Sequence, residues 1–210
     1  MHLQQSILIL SVCALLALPV LAAEQDAAAL AQLQSRLAGI NSLSGDFKQQ
    51  LFSDDGRQLE QSSGIFKLLK PGYFSWHITA PDEQLLIAAQ NYLWHYDVEL
   101  ETATRRNIAD QGPASPLAIL GGDAAALGDW YQVEAIDDDR WRLLPRSKNS
   151  DFSAIEISFD GLQPRSMTIN DALQRRTEIS FDAVQSLPSL TPADFDFEPP
   201  PGVDVYDAER

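Results

Sequence analysis

The segment LLKPGYFSWHITAPDEQLLI, Leu68 to Ile87, decides the fold. Phe74, Trp76 and Ile78 alternate with Tyr73, Ser75, His77 and Thr79, so two aromatics and an isoleucine share one face of a strand. Pro71-Gly72 breaks the chain before that strand, and Ala80-Pro81-Asp82-Glu83 breaks it afterwards. A second apolar run, Gln84–Ala89, then begins. The greasy face is either ordinary core or the wall of something hollow.

The same rhythm extends in both directions. Upstream, Asp46–Phe52 and Leu59–Leu69 read as strands joined at Asp55-Gly56. Downstream, Gln90-Asn91 turns into Tyr92–Val98, and strand character continues to about Ala109. Strands resume at Tyr131–Ile136, Arg140–Leu144, Ala154–Phe159, Gln163–Asn170 and Thr177–Ala183, with turns at Asp137–Asp139, Ser147–Ser150 and Asp160-Gly161. Short strands at this spacing predict an antiparallel meander, as a sandwich or a barrel.

Two stretches break the pattern. From Asp26 to Leu43 the apolar residues Leu30, Leu33, Leu37 and Ile40 recur at three- and four-residue spacing, which predicts an amphipathic helix. In SPLAILGGDAAALGDW, Ser115–Trp130, Ser115 suits an N-cap, Pro116 a first helical position, and Asp123 the cap of a second short turn. Asp194-Phe195-Asp196 alternates as a strand edge would. With no repeat and no low-complexity linker, residues 23–210 read as one domain.

Composition narrows the function. The chain has 210 residues, 45% hydrophobic and 21% charged, with a formal net charge of −15. Clustered Lys and Arg for phosphate contacts are missing from such a balance, which argues against nucleic acid and against a polybasic membrane patch. SILILSVCALLALPVLAA, Ser6–Ala23, carries no charged side chain and ends in small residues. Residues 1–22 are therefore expected to be a cleaved secretory signal, with the mature chain starting at Ala23. Cys13, the sole cysteine, lies inside that segment; bulky Val12 before it and the apolar residues after it make a poor lipidation site. The mature chain then has no disulfide and no thiolate.

Catalytic signatures are weak. His77 and His95 are on separate expected strands, without metal-ligand spacing. No G-x-S-x-G elbow, G-x-G-x-x-G or P-loop occurs, and the Asp pairs fall in turns. No enzyme activity and no cofactor are expected. Three apolar surfaces remain: the helix, the Phe74–Trp76–Ile78 face and the PLAIL segment. They either pack as a filled core or enclose a cavity for apolar ligands.

The run KPGYFSWHITAPDEQLLI resembles the strand–turn–strand signature of the periplasmic outer-membrane lipoprotein carriers, the LolA family. LAQLQSRLAGINSLSGDFKQQ, the YLWHYD and ETATRR segments, and FDFEPPPGVDV extend the resemblance over nearly all of residues 23–210. It implies a monomeric α+β protein: an unclosed antiparallel β-barrel covered by an N-terminal amphipathic helix and a short-helix lid. It also implies a soluble chaperone of Gram-negative bacteria that takes lipoproteins from an inner-membrane ABC exporter to an outer-membrane receptor. The lipid-anchored receptor itself, or a carrier of another amphiphile such as a glycolipid, is the alternative on this scaffold.

By the same resemblance Leu37, Leu43, Phe47, Phe74, Trp76, Ile78 and Leu86 would line the acyl-chain cavity, and Leu117, Ala118 and Leu120 the lid. Lys70 stands where the family has an arginine that hydrogen-bonds the lid, and Ala118 replaces a bulkier residue. A Lys ammonium is a mobile point donor where an Arg fork is directed, so a less firmly latched lid is expected.

Overall fold

The computed structural model describes residues 18–89, 91–107 and 118–208. Helix α1 (Leu18–Ala38) leads into β1 (Ser42–Phe52), β2 (Gln58–Leu69), β3 (Tyr73–Ala80), β4 (Gln84–Ala89), β5 (Tyr92–Asp97) and β6 (Thr102–Asn107). Two short helices, α2 (Ala118–Gly121) and α3 (Leu127–Trp130), flank a 3-10 turn at Ala124–Ala126. Then follow β7 (Tyr131–Asp137), β8 (Arg140–Pro145), β9 (Phe152–Asp160), β10 (Gln163–Asp171) and β11 (Arg176–Gln185). A 3-10 turn at Pro192–Phe195 and strand β12 (Asp204–Asp207) end the described chain.

All twelve strands form one sheet in the order β12-β6-β5-β4-β3-β2-β1-β11-β10-β9-β8-β7. Two meanders therefore meet along the β1–β11 seam, where Phe47 faces Phe181. The terminal strands β7 and β12 do not pair with each other, so the barrel is unclosed. Every pairing is antiparallel except that of β12 with β6, which is parallel.

The sequence misplaces three features. The helix ends at Ala38, not Leu43: there the bonds tighten to three-residue spacing, Gly39 N–H to the Arg36 carbonyl and Ile40 N–H to the Leu37 carbonyl. Ile40 and Leu43 continue the apolar spacing since they enter the same core, Leu43 from β1. The helix also starts earlier than Asp26; the Ala- and Leu-rich run at 21–31 favours helix throughout. Asp194-Phe195-Asp196 is a 3-10 turn and its flank, not a strand. The Asp194 carboxylate accepts the Thr191 N–H and hydroxyl, both at 2.8 Å, which closes a capping box around Pro192. Those bonds hold the exposed carboxyl of Asp194 below its ordinary range.

One core fills the concave side. Leu33 and Leu37 of α1 join Trp76, Leu143, Ile157 and Phe181, drawn from both meanders. Arg36 secures the helix to the far hairpins: it donates to Asp139 Oδ1 at 2.9 Å and to the Gly161 carbonyl, and it lies 5.4 Å over the Trp141 ring. A smaller cluster of Ile87, Leu190 and Phe195 forms on the opposite face of β3–β5, beneath the C-terminal segment. Asp207 then anchors β12 by accepting from Arg105 Nε at 2.7 Å and Nη2 at 3.1 Å.

Gly64 sets how closely β2 and β3 approach. A Cβ there would lie 1.9 Å from the His77 carbonyl oxygen, a backbone atom that cannot swing away. The register shifts at Ser63/Gly64 for the same reason. Gly64→Ala should therefore destabilise the protein by about 3 kcal/mol, the upper range for overpacking, read from the denaturant midpoint. An unchanged midpoint would show that the two strands can part at no cost.

Candidate apolar wall and lid

Trp76 is the centre of the concave face. Its ring stacks on Phe47 with centroids 3.6 Å apart and planes 21° from parallel. Phe74, at 5.9 Å, is also near parallel; Phe66, at 6.1 Å, is tilted, and Phe181, at 6.2 Å, meets Trp76 edge-on. The strand register explains the grouping. Phe66 faces Trp76 across β2–β3, and Trp76 faces Leu86 across β3–β4. Gly64 has no side chain opposite Phe47, which leaves Phe47 room to lean onto the tryptophan. Aromatic surfaces so arranged are almost wholly carbon, the indole N–H of Trp76 being the one polar group on these five rings.

The structure brings together the residues that the sequence singled out for the wall. Leu37, Leu43, Phe47, Phe74 and Trp76 are buried in one cluster, and Ile78 and Leu86 pack against it partly buried. Leu120 of α2 is fully buried in that same cluster. Ala118 opens α2, and Leu117, like Ser115 and Pro116, lies outside the described residues. Sequence reasoning missed Phe66, Phe181, Ile119 and Leu127, all buried here. Phe66 and Leu68 share the parity of Gly64 on β2, a period-2 signal that could have found the first of them.

Asp123 caps the 3-10 turn as its position suggested: its side chain accepts the Ala125 N–H at 2.9 Å. The lid is joined to the sheet at the β2–β3 turn. Gly72 N–H donates to the Gly121 carbonyl at 3.3 Å, a bond to the last residue of α2. Lys70 does not reach α2. Its ammonium donates at 2.7 Å to the Leu37 carbonyl at the end of α1, a second bond to an oxygen that also accepts the Ile40 N–H at 3.1 Å. Its own amide donates to Asn41 O at 2.8 Å. Burial pushes the Lys70 ammonium below its ordinary value, and the negative charge of Asp123 partly offsets this.

Among the described residues no cluster of three His, Cys, Asp or Glu side chains could hold a metal ion. No helix among the described residues is long and apolar enough to cross a membrane. The geometry defines a class: an unclosed β-barrel whose concave face is an apolar wall beneath a short-helix lid. Residues 38–198 match the model of the outer membrane lipoprotein carrier protein LolA, and the chain belongs to that family.

Two relatives show the extent of the likeness. An outer-membrane lipoprotein carrier protein of Azotobacter vinelandii is 34% identical over 202 residues, 95% of this chain and 96% of that one. One from Halorhodospira halophila is 33% identical over 184 residues, 88% of each chain. An uncharacterised conserved protein from Thermus thermophilus shares the fold with a TM-score of 0.53 at 13% identity, over 89% of this chain and 99% of that one. The relatives are named as carriers, not as enzymes.

Because folding holds Lys70 below its ordinary value of 10.5, its charged form is penalised in the folded protein. That penalty is complete below the folded value and vanishes above 10.5, so this residue's contribution improves as pH rises through that window. Wild-type protein should gain stability relative to Lys70→Met as pH is raised from 8 towards 10.5, measured by denaturant titration at each pH. A constant difference would mean that burial does not perturb this ammonium.

Proposed function

We propose that this chain is a soluble periplasmic carrier, exported by a signal at residues 1–22, that shields the acyl chains of lipoproteins between an inner-membrane ABC exporter and an outer-membrane receptor. The observation that carries the reading is the Phe47–Trp76 stack, an apolar wall whose rings cover one another. Transfer to an apolar site is worth about 0.8 kcal/mol per CH₂, so a long acyl chain resists water by on the order of 10 kcal/mol. A carrier must offer comparable apolar area when loaded, yet an exposed patch of that size would cause aggregation when empty. Stacked aromatics under a lid meet both needs. When the rings turn aside, Phe47, Phe74, Trp76, Ile78 and Leu86 become the wall against which an acyl chain lies. Leu37, Leu43 and Leu120 cover the chain from the helix and lid.

The reading also gives a direction of transfer. Cargo displaces the ring stack and the buried Leu120, so part of its binding energy goes into opening the protein. A receptor that needs no such opening holds the same chain more tightly, and cargo passes outward without an energy source. Among the described residues the lid is joined at the β2–β3 turn by one backbone bond, Gly72 to Gly121, while Lys70 serves the end of α1. A guanidinium at position 70 has donors enough to serve α1 and the lid together.

The first test adds protein from Ala23 onward to energised spheroplasts and isolates it from the supernatant. Acylated lipoproteins bound to it in a soluble complex are the expected result. Their absence, while the same cells release cargo to an authentic carrier, would overturn the reading. In a second test Lys70→Arg should slow release of bound lipoprotein to receptor-bearing membranes severalfold. Unchanged release would remove position 70 from control of the lid.

A further inference from the structure

The register carries the concave face past the aromatic wall to the edge of the sheet, and its chemistry changes on the way. Along one row Trp76 faces Leu86, Leu86 faces His95, His95 faces Thr104, and Thr104 faces Tyr206 of β12. A second row runs from Phe74 through Ala88 and Leu93 to Arg106. Both rows begin buried, at Phe74 and Trp76, and end exposed, at Arg106 and Tyr206. The opposite face of the same strands behaves differently: Ile87, Trp94 and Tyr96 there are covered by the C-terminal segment, and Arg105 is held by Asp207. The concave side of β5, β6 and β12 is thus a polar shelf continuous with an apolar wall.

The donors on this shelf are arranged for use. The Arg106 side chain forms no ion pair or hydrogen bond among the described residues, in contrast to that of its neighbour Arg105. The carboxylate of Asp97 accepts from Gln84 Nε2 at 3.3 Å and from Leu100 N–H at 3.0 Å, and Gln84 Oε1 lies 3.2 Å from His95 Nε2. A third row runs from Gln84 through Asp97 and Thr102 to Asp204, so the shelf as a whole is not cationic. Arg106 and Thr104 therefore offer directed N–H and O–H donors without the positive field that a phosphate requires. Their complement is a neutral acceptor.

We propose that this shelf, formed by His95, Thr104, Arg106 and Tyr206, binds the polar end of the cargo, with donors to the ester and amide carbonyls that join acyl chains to a lipoprotein's first residue. The inference rests on the carrier reading, because the apolar wall must hold the chains for their ester groups to reach β5 and β6. Chains against Trp76 and Phe74 run along the two rows, and the carbonyls fall where those rows turn polar. The shelf then fixes the depth to which the cargo enters. It also makes the site selective for acylglyceryl groups over plain hydrocarbon.

Three water-dispersible probes with equal short chains test this on the mature chain: a diacylglyceryl-cysteinyl peptide, its dialkyl ether analogue, and a diacyl phosphatidylglycerol. Binding is read from quenching of tryptophan fluorescence and checked by calorimetry. The ester probe should bind about fivefold more tightly than the ether, the effect of one hydrogen bond. In Arg106→Met that ratio should fall towards one with the ether affinity unchanged. Equal binding of ester and ether by the wild-type protein would overturn the shelf and leave the apolar wall standing. Preference for the phospholipid would overturn the neutral-acceptor assignment. Failure of all three probes to bind would overturn the carrier reading, and the shelf with it.

Discussion

The stack of Phe47 on Trp76 satisfies the constraint on which the rest of the structure depends: a sheet that does not close must still hide its concave face. A closed barrel needs no such device, since its strands seal one another. Here β7 and β12 remain apart, and side chains do what hydrogen bonds between edges would have done. Gly64 makes room for the stack, Phe66 and Phe181 brace it across both meanders, and the stripe of α1 covers it. Burial of this much aromatic surface is strongly favourable in water, yet rings are large, stiff units that move as wholes. The interior is therefore well filled without being finely divided.

The β2–β3 turn is where the covering elements converge. Within three residues it bonds the end of α1 through Lys70 and the end of α2 through Gly72. Both partners are carbonyls at helix ends, and that of Leu37 also accepts the Ile40 N–H. The turn thus completes two helices with few bonds and holds neither rigidly. Arg36, by contrast, secures α1 to the β8–β10 side through several contacts at once. The helix is firmly attached at the far meander and lightly at the near one.

Much of this was legible in the sequence, for identifiable reasons. Alternation of Phe74, Trp76 and Ile78 fixed both strand and face, and Pro and Gly fixed the breaks on either side of β3. Asp123 announced its cap. The end of α1 was not legible, because Ile40 and Leu43 are apolar for the sake of the core and not of the helix. Neither was β12: its four exposed residues carry no periodic signal, and its pairing depends on Arg105, far away in sequence. The wall itself could be read only in part. Phe66 and Phe181 meet Trp76 through register and curvature, quantities that no local pattern contains.

The seam between the meanders has a consequence for how the molecule comes into being. Phe47 finds Phe181 across β1–β11, and Thr104 finds Tyr206 across β6–β12. Neither contact can form until nearly the whole chain has emerged, and pairings so distant in sequence are slow to close. Until then each meander is a separate curved sheet with half of the aromatic wall uncovered. The wall proposed here to receive apolar cargo is thus, during biogenesis, a surface on which a nascent chain is itself prone to stick.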